Sequence, residues 1–490
     1  MSDPIEFILN GQPRKLTGHP STMTVLQYLR TVEHLHGTKE GCAEGDCGAC
    51  TVVLARERDG RLVYEAVNAC ILLLGQVDGS EVISVEDLAT DEGLHPIQEA
   101  MVSHHGSQCG FCTPGFVMSL LALSHEKHAT LDRDHINDAL AGNLCRCTGY
   151  KPIIAAVLES CASPKPDQFD ARERATLAAL AQFRANEDVF MGSSESFFAA
   201  PGSEASLAFL MKTHPGATIL AGATDVGLWI TKGLQDLNKL IWLGRIRSLA
   251  AIEETETTLT IGAAVTHRQA LPRIGALDPD FAELGRRFGS TQVRASGTVV
   301  GNIANGSPIG DWPPAFIVMG ATLELREGFA SRTLPLEDLF IAYRKQDRTQ
   351  EEYLRRITIP KPRPNDHIRL FKISKRRDED ISAVMGAFRI TVEGGVIAEA
   401  RIAFGGMAGI PQRARQAEEA IIGQSIKDIA TWRAGAEAIE RDFQPLSDHR
   451  ASADYRMRVA RNLVIKALAE IAGVPSTDRK STRLHSSHDQ

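Results

Sequence analysis

Gly41-Cys42-Ala43-Glu44-Gly45-Asp46-Cys47-Gly48-Ala49-Cys50 is the stretch on which the reading of this chain turns. Three cysteines with C-x4-C-x2-C spacing share one glycine-rich loop, and Cys70 follows downstream. That spacing is the plant-type [2Fe–2S] pattern, in which four thiolates hold two irons. Gly41, Gly45 and Gly48 let the backbone close around such a cluster and turn N–H groups towards its sulfurs. Zinc more often takes paired C-x2-C knuckles, and one compact loop suits it poorly.

Outward from the loop the pattern is mixed. Ile5, Phe7 and Leu9 alternate towards one face, and Asn10-Gly11 is a hairpin turn signal. Thr24 is a candidate N-cap, and Val25, Leu26 and Leu29 follow with helical spacing. Residues 51–55 and 62–66 read as strands around Asp59-Gly60. Hairpin, helix, loop and hairpin predict a ferredoxin-like β-grasp [2Fe–2S] domain over residues 1–90.

A second cysteine group reads C-x2-C at Cys109 and Cys112, then C-x-C at Cys145 and Cys147. Here strand patterns vanish, and apolar residues take helical spacing at 116–123, 136–140 and 153–158. Thr113-Pro114 reads as N-cap followed by N1. A small helical domain is predicted over residues 91–162, with the cysteines at helix ends. On spacing alone a four-cysteine zinc site competes with an iron–sulfur cluster. Cys161 reads as a buried small hydrophobe. His104 and His105 read as surface or packing residues, since four thiolates already complete each site.

The chain has 490 residues, too many for one core. Its 43% hydrophobic and 23% charged content are ordinary for a globular protein. The net charge of −7 and the lack of a basic stripe argue against nucleic acid. Residues 1–7 lack the basic and apolar segments of a leader, and no apolar run approaches the ~20 residues of a membrane helix. Nine cysteines in that setting point to metal ligation in a reducing cytoplasm. Residues 163–195, with Pro164, Pro166 and many charges, read as a linker with a short helix at 171–183. Residues 196–365 mix helix and strand. Residues 366–476 show strands (387–392, 399–403) before helices (417–422, 455–471), a C-terminal α+β domain. Residues 477–490 are expected to be a disordered or non-native tail.

Leu220-Ala221-Gly222-Ala223-Thr224-Asp225-Val226-Gly227 reads as a strand feeding a tight turn able to aim N–H groups at a diphosphate. Gly222 and Gly227 have Walker spacing, but Leu228 and Trp229 replace its Lys and Ser/Thr, so it is no P-loop. No G-x-G-x-x-G occurs, against a Rossmann site. Taken alone, the stretch is equally an ordinary turn. Residues 298–311 form a second loop of small, hydroxyl and amide residues.

Three stretches are similar to the paired cluster motifs of the xanthine oxidase family of molybdenum hydroxylases. They are residues 41–50, Gln108-Cys109-Gly110-Phe111-Cys112-Thr113-Pro114-Gly115, and Gly142-Asn143-Leu144-Cys145-Arg146-Cys147-Thr148-Gly149-Tyr150. The resemblance implies one [2Fe–2S] cluster at Cys42, Cys47, Cys50 and Cys70. It implies another at Cys109, Cys112, Cys145 and Cys147, in a four-helix domain. Residues 220–227 and 298–311 resemble the family's vanillyl-alcohol-oxidase-type FAD domain. By matched position the implied FAD contacts are Leu220, Ala221, Gly222, Ala223, Thr224, Asp225, Val226, Gly227, Phe288, Thr298, Val299, Val300, Gly301, Asn302, Asp311, Leu354 and Lys372. One departure is Val300, where the family usually carries glycine. A β-branched residue disfavours φ > 0, so the loop is expected to differ locally or FAD affinity to be reduced. Residues 371–381 form a charge run that reads as a solvated loop. The resemblance places it beside the flavin, with Lys372 and Glu379 affecting nicotinamide access.

The implied function is that of the FeS–FAD small subunit of a bacterial two-subunit xanthine dehydrogenase. Electrons would pass from a partner's molybdenum site through both clusters to FAD and then NAD⁺, with hypoxanthine and xanthine converted to urate. A separate molybdopterin-binding large subunit is expected, because the sequence ends after the flavin domain, and a dimer of heterodimers is implied. No side chain is implied as a general acid or base. The alternatives are the same architecture serving an aldehyde or N-heterocycle hydroxylase, and a zinc-stabilised interaction protein.

Overall fold

The computed structural model describes residues 3–126, 131–162, 166–183 and 188–474. The tail read at 477–490 lies outside them. Ile5–Leu9 and Gln12–Leu16 pair antiparallel around Asn10 and Gly11, whose φ values are 50° and 74°. Thr51–Arg58 and Arg61–Asn68 do the same around Asp59 and Gly60, at 52° and 77°. Two successive left-handed residues give the turn whose twist matches the flanking strands. The five-stranded sheet runs Gln12–Leu16, Ile5–Leu9, Glu81–Ile83, Thr51–Arg58, Arg61–Asn68, with Ile5–Leu9 and Glu81–Ile83 parallel. Thr24 caps the Val25–Thr31 helix and Gln27 closes a capping box. That helix buries Val25, Leu26, Tyr28 and Leu29, which completes a β-grasp domain.

Four helices follow: Pro96–Ser103, Thr113–Ser124, Arg133–Leu140 and Lys151–Ser160. Thr113–Ser124 is buried from Gly115 to Leu123 and packs on the Thr51–Arg58 strand. Its cap differs from the sequence reading by one residue. Cys112 stands at the N-cap and Thr113 opens the helix, while the Thr113 hydroxyl meets Ser107 Oγ at 2.7 Å. Cys161 is fully buried in the core that this helix helps form.

The segment read as a linker is largely structured. The Gln168–Phe183 helix starts three residues before the expected 171. Asp167 accepts from the N–H groups of Phe169 and Asp170 and so caps it. The same carboxylate lies 3.1 Å from both His95 Nε2 and His125 Nε2. Phe169 is fully buried, and Arg172 bonds Glu81 at 2.8 Å. The helix is therefore strapped across the iron–sulfur half rather than left in solvent.

The next region has two lobes. One carries the sheet Val189–Gly192, Phe197–Ala200, Lys239–Trp242, Thr218–Leu220, of which the last three strands are parallel. The other is an antiparallel five-stranded sheet, Ile252–Glu254, Thr258–Gly262, Tyr353–Pro360, Thr322–Glu327, Ala330–Pro335. The C-terminal domain pairs Asp366–Ile373, Val384–Glu393, Val396–Gly405 and Gln412–Arg413 antiparallel. Three helices, Arg415–Ile421, Ile429–Asp442 and Ala453–Ile471, share its core.

The apolar cores cross domain limits. Leu72, Leu73 and Leu74 share one core with Phe198, Leu220, Ala223 and Trp242 of the first flavin lobe. Val53, Ala55 and Tyr64 share another with Phe116, Leu120 and Ile153 of the helical domain. Among the described residues no helix is long and apolar enough to cross a membrane.

Candidate metal and flavin sites

The first cysteine group closes because its loop doubles back on itself. Ala43, Gly45 and Gly48 take φ of 55°, 81° and 68°. Gly41 sits so tightly that an added Cβ would lie 2.7 Å from Cys47 Sγ. Cys50 and Cys70 are buried, Cys42 and Cys47 half-buried, and none is in a disulfide. Cys42 contacts Cys47 and Cys70, and Cys50 contacts Cys70. The N–H groups of Glu44, Asp46 and Cys47 donate to Cys42 Sγ at 3.4, 3.3 and 3.4 Å. The Cys47 and Cys70 thiols, followed by these backbone N–H groups, hold the Cys42 thiol far below its ordinary range. A sulfur with three inward N–H donors is a site built for a thiolate, the form that binds metal. The four residues therefore fit a thiolate-held cluster.

The second group sits at the solvent face. Cys109 and Cys147 are exposed, Cys112 and Cys145 half-buried. Cys109 and Cys147 sulfurs lie 3.1 Å apart, and Cys112 contacts Cys145. Phe111, Leu144 and Tyr150 are exposed apolar neighbours. Cys145 N–H donates to Tyr150 Oη at 3.2 Å. His104 bonds Glu159 at 2.6 Å, a surface partner.

The two groups adjoin. Leu144 N–H donates to the Cys47 carbonyl at 3.0 Å, so one hydrogen bond joins the first loop to the residue before Cys145. The first group also adjoins the flavin lobe. Thr231 Oγ1 donates to Ala43 O at 2.7 Å, and a Cβ on Gly227 would lie 2.7 Å from Ile71 O, one residue past Cys70.

Leu220 ends a strand, residues 221–225 turn, and Val226–Thr231 is a helix. Ala223 adopts φ of 59°, and Gly222 lies against backbone: its Cβ would fall 2.1 Å from Ser296 O. Asp225 hydrogen-bonds Asn305, which ties this turn to the second stretch. Within that stretch Val299–Asn305 is a helix rather than the expected loop, and residues 306–311 are irregular as expected. Thr298 caps the helix by accepting from Gly301 N–H at 3.1 Å. Asn302 Oδ1 is buried with no partner among the described residues. An unpaired buried acceptor near a glycine-tight turn fits a hydroxyl donor, such as those of the FAD ribitol.

Val300 corrects an expectation. It lies in the first turn of this helix, has no positive φ, and is 2% exposed within the core. Its side chain packs inward and leaves the backbone in ordinary helical geometry. Val300→Gly is expected to lower unfolding stability by about 2–4 kcal/mol, from lost burial and a helix glycine. Urea unfolding measures it, and flavin content is expected not to rise.

Asp311 and Lys372 form a buried ion pair at 2.6 Å, and Ser382 Oγ donates to the other carboxylate oxygen at 2.6 Å. Lys372 thus leaves the solvated charge run, which begins beyond it; it lies within the Asp366–Ile373 strand, opposite Met385. Phe288 is half-buried, its ring 4.3 Å from that of His267. Leu354 is a core residue paired with Leu325. Ala221 of the 220–227 turn and Phe288 both pack against the apolar core that holds Leu354. Glu379 is half-buried at φ of 48°, and burial pushes its carboxyl up to about 8 despite the Ser290 hydrogen bond.

Known sequences and structures match this architecture. The profile of a "2Fe-2S iron-sulfur cluster binding domain" covers residues 7–74, and that of a "[2Fe-2S] binding domain" covers 84–158. The "FAD binding domain in molybdopterin dehydrogenase" covers 193–362, and the "CO dehydrogenase flavoprotein C-terminal domain" 369–471. Xanthine dehydrogenase 1 of Arabidopsis thaliana is 31% identical over 85% of this chain. The nicotinate hydroxylase of Emericella nidulans is 27% identical over 95%. The chain spans only 36% and 40% of those relatives' lengths. A carbon monoxide dehydrogenase chain from Hydrogenophaga pseudoflava superposes with TM-score 0.54 at 26% identity, covering 57% of this chain and 98% of that one. Quinoline 2-oxidoreductase from Pseudomonas putida gives 0.52 at 25%, covering 56% and 96%. The chain belongs to the molybdenum hydroxylase family and carries its two [2Fe–2S] domains, its FAD-binding domain and its C-terminal flavoprotein domain.

Proposed function

We propose that this chain, as a member of that family, is the FeS–FAD electron-transfer subunit of a cytoplasmic xanthine dehydrogenase. Cys42, Cys47, Cys50 and Cys70 hold one cluster; Cys109, Cys112, Cys145 and Cys147 hold the other; residues 220–227 and 298–302 cradle FAD. When bound, the clusters carry single electrons and FAD exchanges them for the pair that leaves as hydride to NAD⁺.

The carrying observation is the order of contacts. The exposed Cys109 and Cys147 lie at the surface, Leu144 meets Cys47 inside, and Ile71 and Ala43 meet the flavin helix. This supports entry at the solvent face from a molybdopterin-bearing large subunit, beside Phe111, Leu144 and Tyr150, and exit at the flavin. A dimer of heterodimers and a nicotinamide acceptor belong to the same reading. The chain's residues bind, space and shield; none acts as a general acid or base.

The likeness to a nicotinate hydroxylase over 95% of this chain favours one second reading, the same role serving an N-heterocycle hydroxylase. Purification with the bound partner, metal and flavin analysis, and assay on xanthine, aldehydes and nicotinate tests both. Iron and sulfide near four per chain, bound FAD and xanthine-driven NADH formation are expected. Zinc without flavin would end the proposal, and turnover of nicotinate alone would replace xanthine with an N-heterocycle.

A further inference from the structure

Gln292 lies in the Thr291–Ser296 helix of the flavin domain, yet its fully buried side chain ends between the two cysteine groups. Its Nε2 reaches Thr51 Oγ1 at 3.3 Å, Ser119 Oγ at 3.2 Å and Asn143 Oδ1 at 3.1 Å. Thr51 directly follows Cys50, and Asn143 lies two residues before Cys145. Asn143 Nδ2 donates onward to Gly48 O at 3.3 Å and Thr51 Oγ1 at 3.4 Å, and Ser119 Oγ donates to Asn143 Oδ1 at 2.7 Å. One amide from a third domain thus holds both cysteine-bearing backbones about a single point.

The surroundings leave little slack. A Cβ at Gly48 would lie 2.1 Å from Gly142 O, and one at Gly115 would lie 2.2 Å from Gly48 O. Within this knot Leu144 N–H meets the Cys47 carbonyl at 3.0 Å, a backbone hydrogen bond between the groups. Gln292 Oε1, by contrast, is buried without a hydrogen-bond partner among the described residues. A side chain kept only to fill space would avoid that cost by being apolar. The amide is retained for what its N–H bonds position.

We infer that Gln292 is a positioning residue for electron passage between the two cysteine-held groups. It fixes Asn143 and Thr51 so that the Leu144–Cys47 hydrogen bond keeps one length and direction. The step is one electron leaving the reduced cluster for the oxidised one, with no bond changed and no proton moved. This rests on the reading of the eight cysteines as ligands of two clusters.

The test uses the full chain with its cofactors and partner. Q292M keeps length and volume but removes the amide, and S119A removes one member of the network. Iron and sulfide content and two reduced-cluster paramagnetic signals in the unaltered protein check the cluster reading separately. In Q292M the Leu144 amide is expected to exchange about fivefold faster, the change that loss of one ordinary hydrogen bond produces. The magnetic splitting between the reduced clusters is expected to narrow, and electron passage between them to slow, with iron content kept. S119A is expected to shift the same three readouts less. Unchanged exchange, splitting and passage rate in the variants would overturn the inference, whatever their melting temperatures. Absence of both cluster signals in the unaltered protein would overturn the cluster reading and the inference with it.

Discussion

Cys147→Ser is expected to abolish substrate-driven NADH formation while leaving NADH-to-dye activity at the flavin largely intact. Cys147 is exposed and its sulfur lies 3.1 Å from Cys109, so the substitution touches only the outer group. A hydroxyl is a poor substitute for a thiolate on iron. Changes to outer-shell partners alone cost about 10–100-fold, and loss of a direct ligand is expected to exceed that. The flavin end keeps its own contacts, Thr231 to Ala43 and Gly227 to Ile71. Assays of both activities on one preparation, with iron counted per chain, decide it. Survival of substrate-driven activity would show that electrons bypass the outer group.

Gly222→Val acts at the opposite end. The built Cβ falls 2.1 Å from Ser296 O and 2.6 Å from Gly297 Cα, both backbone, so no rotamer relieves the clash. The turn must open away from the segment that leads into the Val299–Asn305 helix, and Asp225 must strain its bond to Asn305. Overpacking of this kind costs about 1–3 kcal/mol. Flavin content per chain is expected to fall severalfold while iron content holds, because the cysteine loops do not use this contact. Equal flavin content in variant and parent would show that the 220–227 turn is not the cradle.

Much of the iron–sulfur half was legible because its signals are local. Asn10-Gly11 and Asp59-Gly60 demand left-handed turns and take them. The cysteine spacing brought each foursome to one place, since a glycine-rich loop has few ways to close. The misses have the opposite character. Thr113 is a good capping residue, but Cys112 takes that place and the Thr113 hydroxyl turns to Ser107. Val300 looked strained only while its segment was read as a loop; a helix gives it a core position. The 163–195 segment looked solvated because its partners, Glu81 and the histidines at 95 and 125, lie far away in sequence. Gln292 carried no motif, because its meaning is the meeting of three domains.

The apolar core shared by Leu72, Leu73 and Leu74 with Phe198, Leu220 and Trp242 bears on any attempt to build chimaeras. Cutting there would bare greasy surface on both fragments, so a grafted ferredoxin module would bring unmatched side chains to the seam and aggregate. Exchanges between relatives should keep the iron–sulfur half and the flavin domain together, because Ala295 shares this core and Gln292 reaches Thr51, Ser119 and Asn143.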